Sequence, residues 1–178
     1  MDISNWICIN KNEVFSNNYL RVRNDKVQNP KGKEVEFSVV ESKNFTATIC
    51  MTKDEKIVMI KQYRYPWSSV SIEIPAGLIE PEEDPTLSAK REVREETGYK
   101  VLSIEPLLTW HPVAFSSSWG HLYFAIVEKE GNQKLDENEF IEVLELSKSE
   151  VEKMIQRNVI IHGATILGWY VAKTKKLL

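Results

Sequence analysis

The sequence predicts an α+β fold, in which short strands and a few helices follow one another without a regular repeat. Three observations carry this prediction. Several short stretches have the alternation or β-branched content of strands. One segment in the middle of the chain has strong start and stop signals for a helix. The order of these stretches is not the regular strand–helix–strand succession that predicts a parallel α/β sheet.

The first part of the chain predicts a small antiparallel sheet. Its candidate strands are residues 6–9, 19–22 and 35–40. Pro30 and Gly32 lie between the last two and favour a turn, because proline restricts φ and glycine tolerates positive φ. We therefore predict an N-terminal β subdomain over residues 1–43 and a second domain over residues 44–178.

The residue pattern of the second domain predicts a core sheet with helices. Residues 45–51 and 56–62 read as a hairpin, and the apolar run at 57–60 is typical of a central strand buried on both faces. Further strands are predicted at 71–74, 101–108 and 122–127. One helix runs from Asp84 to about residue 97, where Gly98 provides the C-terminal cap, a second begins near Ser147, and a third covers residues 164–173.

Composition limits the range of functions. The chain has 178 residues, 42% of them hydrophobic, and a net charge of −3, which disfavours a nucleic-acid partner. The two cysteines, Cys8 and Cys50, have no metal-binding spacing and are expected to be reduced. Nothing approaches the roughly 18 apolar residues of a membrane span. A soluble, cytoplasmic protein without a membrane partner is expected.

Three glutamates crowd one stripe of the first helix. Glu92, Glu95 and Glu96 lie within one turn of one another, near the helix C-terminus. Like charges at this spacing cost about 0.2–0.5 kcal/mol per pair, and the helix dipole also disfavours anions there. A solvated helix face is one interpretation. A bound hard cation, Mg²⁺ or Mn²⁺, is the other, because such ions prefer oxygen ligands.

The residues around these glutamates extend the pattern. They follow a fixed spacing from the glycine before the helix to the tyrosine after it: Gly77, Glu83, Arg91, Glu92, Val93, Glu95, Glu96, Gly98 and Tyr99. This string resembles the Nudix box at every fixed position. The resemblance implies an α/β/α sandwich around a mixed sheet. It also implies that Glu92 and Glu96 bind the metal, that Glu95 and Glu96 take part in catalysis, that Arg91 orients the carboxylates, and that Glu83 braces the loop.

Blocks outside the box are similar to the ADP-ribose pyrophosphatase group of that family. They are residues 61–66, 73–77 and 135–143. This similarity implies metal binding by the Ala76 carbonyl and by Glu139, and a candidate base in Glu137. It further implies that substrate contacts come from Arg64, Phe37 and Gly77, and that the N-terminal subdomain helps to build a homodimer. Each of these residues also has a simpler interpretation. Arg64 could be an ordinary arginine at the end of a strand, and Phe37 could serve only in packing. The loop of residues 136–139 could be a solvated acidic loop.

The expected activity is Mg²⁺-dependent hydrolysis of a nucleoside diphosphate sugar, with ADP-ribose giving AMP and ribose 5-phosphate. One segment departs from the group. Residues 111–121 keep Pro112 but lack an acidic residue and contain Phe115 and Trp119. Because this loop would border the substrate, it leaves open another nucleotide sugar or nucleotide. A Nudix module that binds without hydrolysing is the non-enzymatic alternative, although it predicts lost box carboxylates and none is lost.

Overall fold

The computed structural model describes residues 2–178, which divide into two units by their internal contacts. The first unit contains the residues up to Asn44 together with His111–Trp119. The second contains Phe45–Trp110 and Gly120–Leu178. The later loop thus belongs with the N-terminal residues, a grouping that the order of residues in the chain does not suggest.

A four-stranded antiparallel sheet forms the first unit, as predicted. Its strands are β1 (Ile7–Asn10), β2 (Glu13–Ser16), β3 (Leu20–Gln28) and β4 (Glu34–Ser42). The long β3 pairs with β4 along its whole length, while β1 and β2 pair with opposite ends of its other edge. Gly32 adopts a φ of 79° in the β3–β4 turn, which is the left-handed conformation that glycine tolerates best.

The loop of residues 111–119 extends this sheet at β4. Ser116 forms a parallel bridge with Val40. The Val40 N–H donates to the Phe115 carbonyl at 2.8 Å, and the Ser117 N–H donates to the Val40 carbonyl at 3.2 Å. Asn44 accepts a further hydrogen bond from the Trp119 N–H through its side chain. The loop therefore uses backbone groups of β4 that would otherwise lack partners in the sheet.

A mixed seven-stranded sheet forms the second unit. Its strands are β5 (Phe45–Thr52), β6 (Lys56–Arg64), β7 (Ser69–Glu73), β8 (Ala76–Leu78), β9 (Tyr99–Trp110), β10 (Gly120–Lys129) and β11 (Ile141–Ser147). The main order is β11-β6-β5-β10-β9, with β7 on β6 and β8 on β5. β5 and β10 run parallel, and the other strand pairs described in this sheet are antiparallel. The predicted mixed sheet is confirmed, and β6 lies inside it as its apolar run indicated.

Helices cover both faces of this sheet. They are α1 (Pro85–Thr97), α2 (Lys148–Gln156) and α3 (Gly163–Thr174). On β6, Ile57 and Met59 point to the core shared with α2 and α3, whereas Val58 points to the core shared with Val93 of α1. This alternation follows from the period of two along a strand. It produces the predicted α/β/α sandwich, with α1 alone on one side.

The helix ends also match the sequence signals. Asp84 accepts hydrogen bonds from the N–H groups of Thr86 and Leu87, and Gly98 closes α1 with a φ of 70°. Ser147 and Glu150 form a reciprocal capping box at α2. No helix within residues 2–178 combines the length and the apolarity needed to cross a bilayer. Both cysteines are free, with Cys50 buried in the core and Cys8 exposed.

Candidate active site

The box residues fold as a short strand, a loop and a helix. β8 supplies Ala76 and Gly77, the loop supplies Glu83, and α1 supplies the arginine and the three glutamates. Asp84 and Gly98 set where α1 begins and ends, and so set which of its residues face β8. The sequence signal for this helix therefore also determines the position of the carboxylates.

Glu96 is the most buried of these carboxylates. Its residue is only 4% exposed, and its Oε2 accepts a 2.9 Å hydrogen bond from the Ala76 N–H. Burial raises the pKa of Glu96 to about 9, with the negative charges of Glu92 and Glu139 adding to the effect. A carboxyl group in this environment gains strongly from a neighbouring positive charge.

Glu92 lies one turn before Glu96 and packs against Gly77. A Cβ atom added to Gly77 would overlap the carboxyl group of Glu92, so only glycine allows the side chain to approach β8 this closely. Burial raises the pKa of Glu92, and the hydrogen bond from Arg91 opposes that shift. Gly77, which was predicted to contact substrate, lies directly beside this carboxylate.

Arg91 binds three of the carboxylates at once. It donates to both oxygens of Glu83 at 2.9 Å, to Glu92 at 2.6 Å and to Glu95 at 3.1 Å. It also donates to the Leu78 carbonyl at 3.0 Å. The Arg91 hydrogen bond is the main cause that lowers the pKa of Glu83 to about 2. This one guanidinium therefore links the loop, β8 and α1 through charge-assisted hydrogen bonds.

The acidic loop after the sheet contributes charge to the same region. Glu139 Oε2 accepts a 3.0 Å hydrogen bond from the Asp136 N–H and so closes its own turn. Its charge raises the pKa of both Glu92 and Glu96, which places it within electrostatic range of them. Glu137 is exposed in the same turn, and it makes no hydrogen bond to a box glutamate among residues 2–178.

Arg64 lies at the end of β6, within electrostatic range of Glu96. It is held by Glu73 of β7, which accepts hydrogen bonds from its Nε at 2.8 Å and from its Nη2 at 2.5 Å. Glu73 belongs to the block of residues 73–77 but was not predicted to be a site residue. The only local signal for it is a glutamate at the end of a short strand, two residues before Pro75.

Phe37 and the loop of residues 111–119 lie in the first unit. Phe37 is 49% exposed and packs edge to face against Trp6, with ring centroids 5.6 Å apart. His111 stacks on Trp119 at 3.6 Å, and its Nδ1 lies 3.0 Å from the Ser118 carbonyl oxygen. Phe37 thus takes part in an aromatic pair within its own unit and still presents half of its surface.

The donor set suits a hard cation that keeps part of its water shell. Within residues 2–178, no three Asp, Glu, His or Cys side chains converge closely enough to hold a metal ion by themselves. The negative charge of Glu139 nevertheless acts to raise the pKa of both Glu92 and Glu96, and the Ala76 backbone lies beside Glu96. Mg²⁺ is usually bound in this way, by one or two carboxylates together with water and phosphate oxygens.

We expect the stability of the metal-free protein to fall as the pH rises from 4.5 to about 9. The folded-state pKa of Glu96 lies above its ordinary value, so the folded state binds more protons than the unfolded state between these limits, and rising pH favours unfolding. Glu96→Gln should flatten this slope, because glutamine stays neutral. Urea unfolding at several pH values in excess EDTA measures it, and equal slopes in the two proteins would contradict this expectation.

Comparisons with known proteins were made for the whole chain. The family model described as NUDIX domain matches residues 43–162. The chain is 35% identical to a methanol dehydrogenase activator of Bacillus methanolicus, over 90% of this chain and 88% of that protein. It is 29% identical to an ADP-ribose pyrophosphatase of Bacillus subtilis, over 96% and 94% of the two chains.

Two further similarities cover nearly the whole length. A GDP-mannose pyrophosphatase of Escherichia coli is 30% identical, over 97% of each protein. A solved structure described as an ADP compounds hydrolase superposes with a TM-score of 0.84, over 98% of this chain and 95% of that one, at 16% identity. The structural similarity supports the fold, and the predicted sandwich with its additional small sheet agrees with it.

Proposed function

Since this chain belongs to the NUDIX family and is a diphosphatase of that family, we propose that it hydrolyses the diphosphate linkage of a nucleoside diphosphate sugar. The preferred substrate is ADP-ribose, which would give AMP and ribose 5-phosphate, and the cofactor is Mg²⁺, with Mn²⁺ as a substitute. The observation that carries the proposal is the buried Glu96, which binds the Ala76 N–H beside a Glu92 that packs on Gly77.

Acidic residues would bind the metal, and a basic residue would bind the diphosphate. Glu92, Glu96, Glu139 and the Ala76 carbonyl would hold the metal, and Arg91 keeps Glu92 and Glu95 in fixed positions. Bound Mg²⁺ supplies charge screening for the diphosphate and a water of lowered pKa. Arg64 would bind the diphosphate through N–H groups that Glu73 does not use. Such chemistry depends on positioning and electrostatics and needs no covalent intermediate.

The reaction needs one group that accepts a proton. The water oxygen forms a bond to phosphorus, the bridging P–O bond breaks, and the proton of the water passes to a carboxylate. Glu95, Glu137 and Glu139 are candidates by exposure, since each has a side chain accessible to water. Glu95 lies on the rigid helix, and Glu137 and Glu139 lie on a turn.

The choice of substrate rests on the relatives. The B. subtilis protein supports ADP-ribose through its name and its coverage of nearly the whole chain. The E. coli protein makes GDP-mannose the second candidate. Phe37, with its half-exposed ring, would stack on the nucleobase, a contact that either purine can make.

We also propose that residues 1–43 and 44–178 act as a dimerisation subdomain and a hydrolase domain of a cytoplasmic homodimer. The exposed apolar side chains of the first sheet support the first part, since Trp6, Ile7, Ile9, Val14 and Phe15 all present large surfaces. The free cysteines are consistent with a reducing compartment.

A panel of nucleotide sugars tests the activity directly. With Mg²⁺ present, we expect turnover of ADP-ribose at a higher kcat/KM than of GDP-mannose, UDP-glucose or a nucleoside triphosphate, with AMP as the nucleotide product. Excess EDTA should abolish turnover, and added Mg²⁺ should restore it. Product analysis by ion-exchange chromatography measures both results. A folded, Mg²⁺-loaded protein that turns over no member of the panel would refute the proposal.

A further inference from the structure

Glu73 is a charged side chain with no exposed surface. It ends β7, and its residue is 0% exposed. An ionised carboxylate in such a place is costly unless opposite charge and hydrogen bonds compensate for lost water. Burial works to raise the pKa of Glu73, but the hydrogen bond of Arg64 and the charges of His162 and Arg64 hold it below its ordinary value. The carboxylate is therefore ionised and its environment is built for that state.

Arg64 meets this carboxylate with one edge of its guanidinium. The Nε–Oε1 and Nη2–Oε2 distances are 2.8 and 2.5 Å, the geometry of a bidentate pair. A guanidinium carries five N–H donors, so three remain for another partner. The Arg64 side chain is 36% exposed. Glu73 thus holds the Nε and Nη2 edge of the Arg64 guanidinium, and the remaining N–H groups make no hydrogen bond to residues 2–178.

Arg64 also interacts electrostatically with the box helix. The pKa of Arg64 is raised mainly by its hydrogen bond to Glu73, and the charge of Glu96 adds to this. Arg64 in turn works to lower the pKa of Glu96. Arg64 therefore lies within electrostatic range of Glu96, beside which the proposed diphosphate would bind.

The start of α3 holds Glu73 in place. Thr165 is fully buried, and its Oγ1 accepts a 3.0 Å hydrogen bond from the N–H of Ile74, the residue after Glu73. The same hydroxyl lies 2.9 Å from Nδ1 of His162, and this nitrogen lies 3.8 Å from Glu73 Oε2. Both the side chain and the following peptide of Glu73 are thus restrained by one helix terminus.

We propose that Glu73 is a positioning residue, which holds the Arg64 guanidinium so that its free N–H groups face the substrate diphosphate. The inference rests on the proposed function in taking the ligand to be a diphosphate. A role in stability alone explains the arrangement poorly, because a buried ion pair is often no more stabilising than apolar residues of the same volume.

Glu73→Gln tests the proposal with almost no change in volume. Loss of the fork should let the guanidinium reorient, so KM for ADP-ribose should rise about ten- to hundredfold. The value of kcat should change by less than about threefold, since a contact made equally in the ground and transition states affects KM. Glu128→Gln, which disrupts an exposed pairing with Lys53 and Lys100, is the control and should keep KM within about twofold.

A double-mutant cycle separates positioning from a general structural role. Arg64→Gln should raise KM to a similar extent, and the double variant should be no worse than Arg64→Gln alone, because Glu73 acts through Arg64. Multiplication of the two single effects in the double variant would overturn the proposal. So would an unchanged KM in a folded Glu73→Gln protein.

The unaltered protein offers a test that does not depend on folding of a variant or on turnover. Arginine Nε–H exchange with water, followed by ¹H–¹⁵N NMR, should be at least about tenfold slower for Arg64 than for the exposed Arg157. Equal rates would overturn the proposal. If no nucleotide sugar is hydrolysed, the proposed function fails, while this exchange rate and the binding of ADP by calorimetry still decide the inference. ADP should bind Glu73→Gln at least about tenfold more weakly.

Discussion

Replacing Glu96 by glutamine should reduce kcat/KM for the best substrate of the panel by about 10²–10⁴-fold. The glutamine carbonyl oxygen can still accept the hydrogen bond of the Ala76 N–H, which Glu96 accepts at 2.9 Å, so the fold should be retained. What is lost is the negative charge that the proposed metal requires. Because burial already disfavours that charge in the absence of a cation, the metal-free variant should be at least as stable as the unaltered protein.

Steady-state kinetics with Mg²⁺ measure the loss of kcat/KM. Thermal unfolding in EDTA measures the stability of the metal-free variant. Glu130→Gln is a suitable control, because Glu130 forms an exposed ion pair with Arg94 and has no role in the proposed site. It should leave kcat/KM within about twofold. A Glu96→Gln protein that retained full activity would mean that the metal is bound elsewhere.

Gly77→Ala is expected to have the second large effect, through a single methyl group. The added Cβ would overlap the carboxyl group of Glu92, so either β8 or Glu92 must move. Overpacking of this kind costs about 1–3 kcal/mol in stability, and a misplacement of about 1 Å near the chemistry can cost about 10²-fold in rate. We therefore expect kcat to fall by about 10²-fold, with a lower Tm.

Gly131→Ala provides the matched control. A Cβ atom at Gly131 meets no atom within 4 Å, so the same substitution there should leave kcat and Tm nearly unchanged. Circular dichroism and steady-state kinetics on both variants make the comparison. A Gly77→Ala protein with normal kcat would show that the Glu92 carboxylate does not need its present position.

Local signals made much of the fold predictable. Asp84, Pro85 and Gly98 determine α1 through caps that act within one turn, and the apolar run of β6 reflects burial on both faces. Three strands were not predicted: β2, β8 and β11. β2 is exposed throughout and has only four residues, β8 has three, and β11 has glutamates interrupting its apolar alternation. Their conformation depends on strands that lie far away in the sequence.

The same distinction between local and distant interactions applies to the site. The box glutamates could be located because helical periodicity alone brings them together. The pair of Arg64 and Glu73 requires β6 and β7 to lie side by side, and the support from Thr165 requires α3, which follows about ninety residues later. Such contacts depend on tertiary packing, and no spacing rule in a single sequence reports them.

The bridge between Val40 and Ser116 joins β4 to residues that are synthesised much later than β4 itself. Trp119 follows Asn44 by 75 positions, so the ribosome needs roughly 4–15 seconds to add the residues between them. During that interval β4 lacks its last neighbour, while the whole box helix emerges. The four-stranded sheet is therefore made before the box helix but completed after it, and the edge of β4 is open to other nascent chains until then.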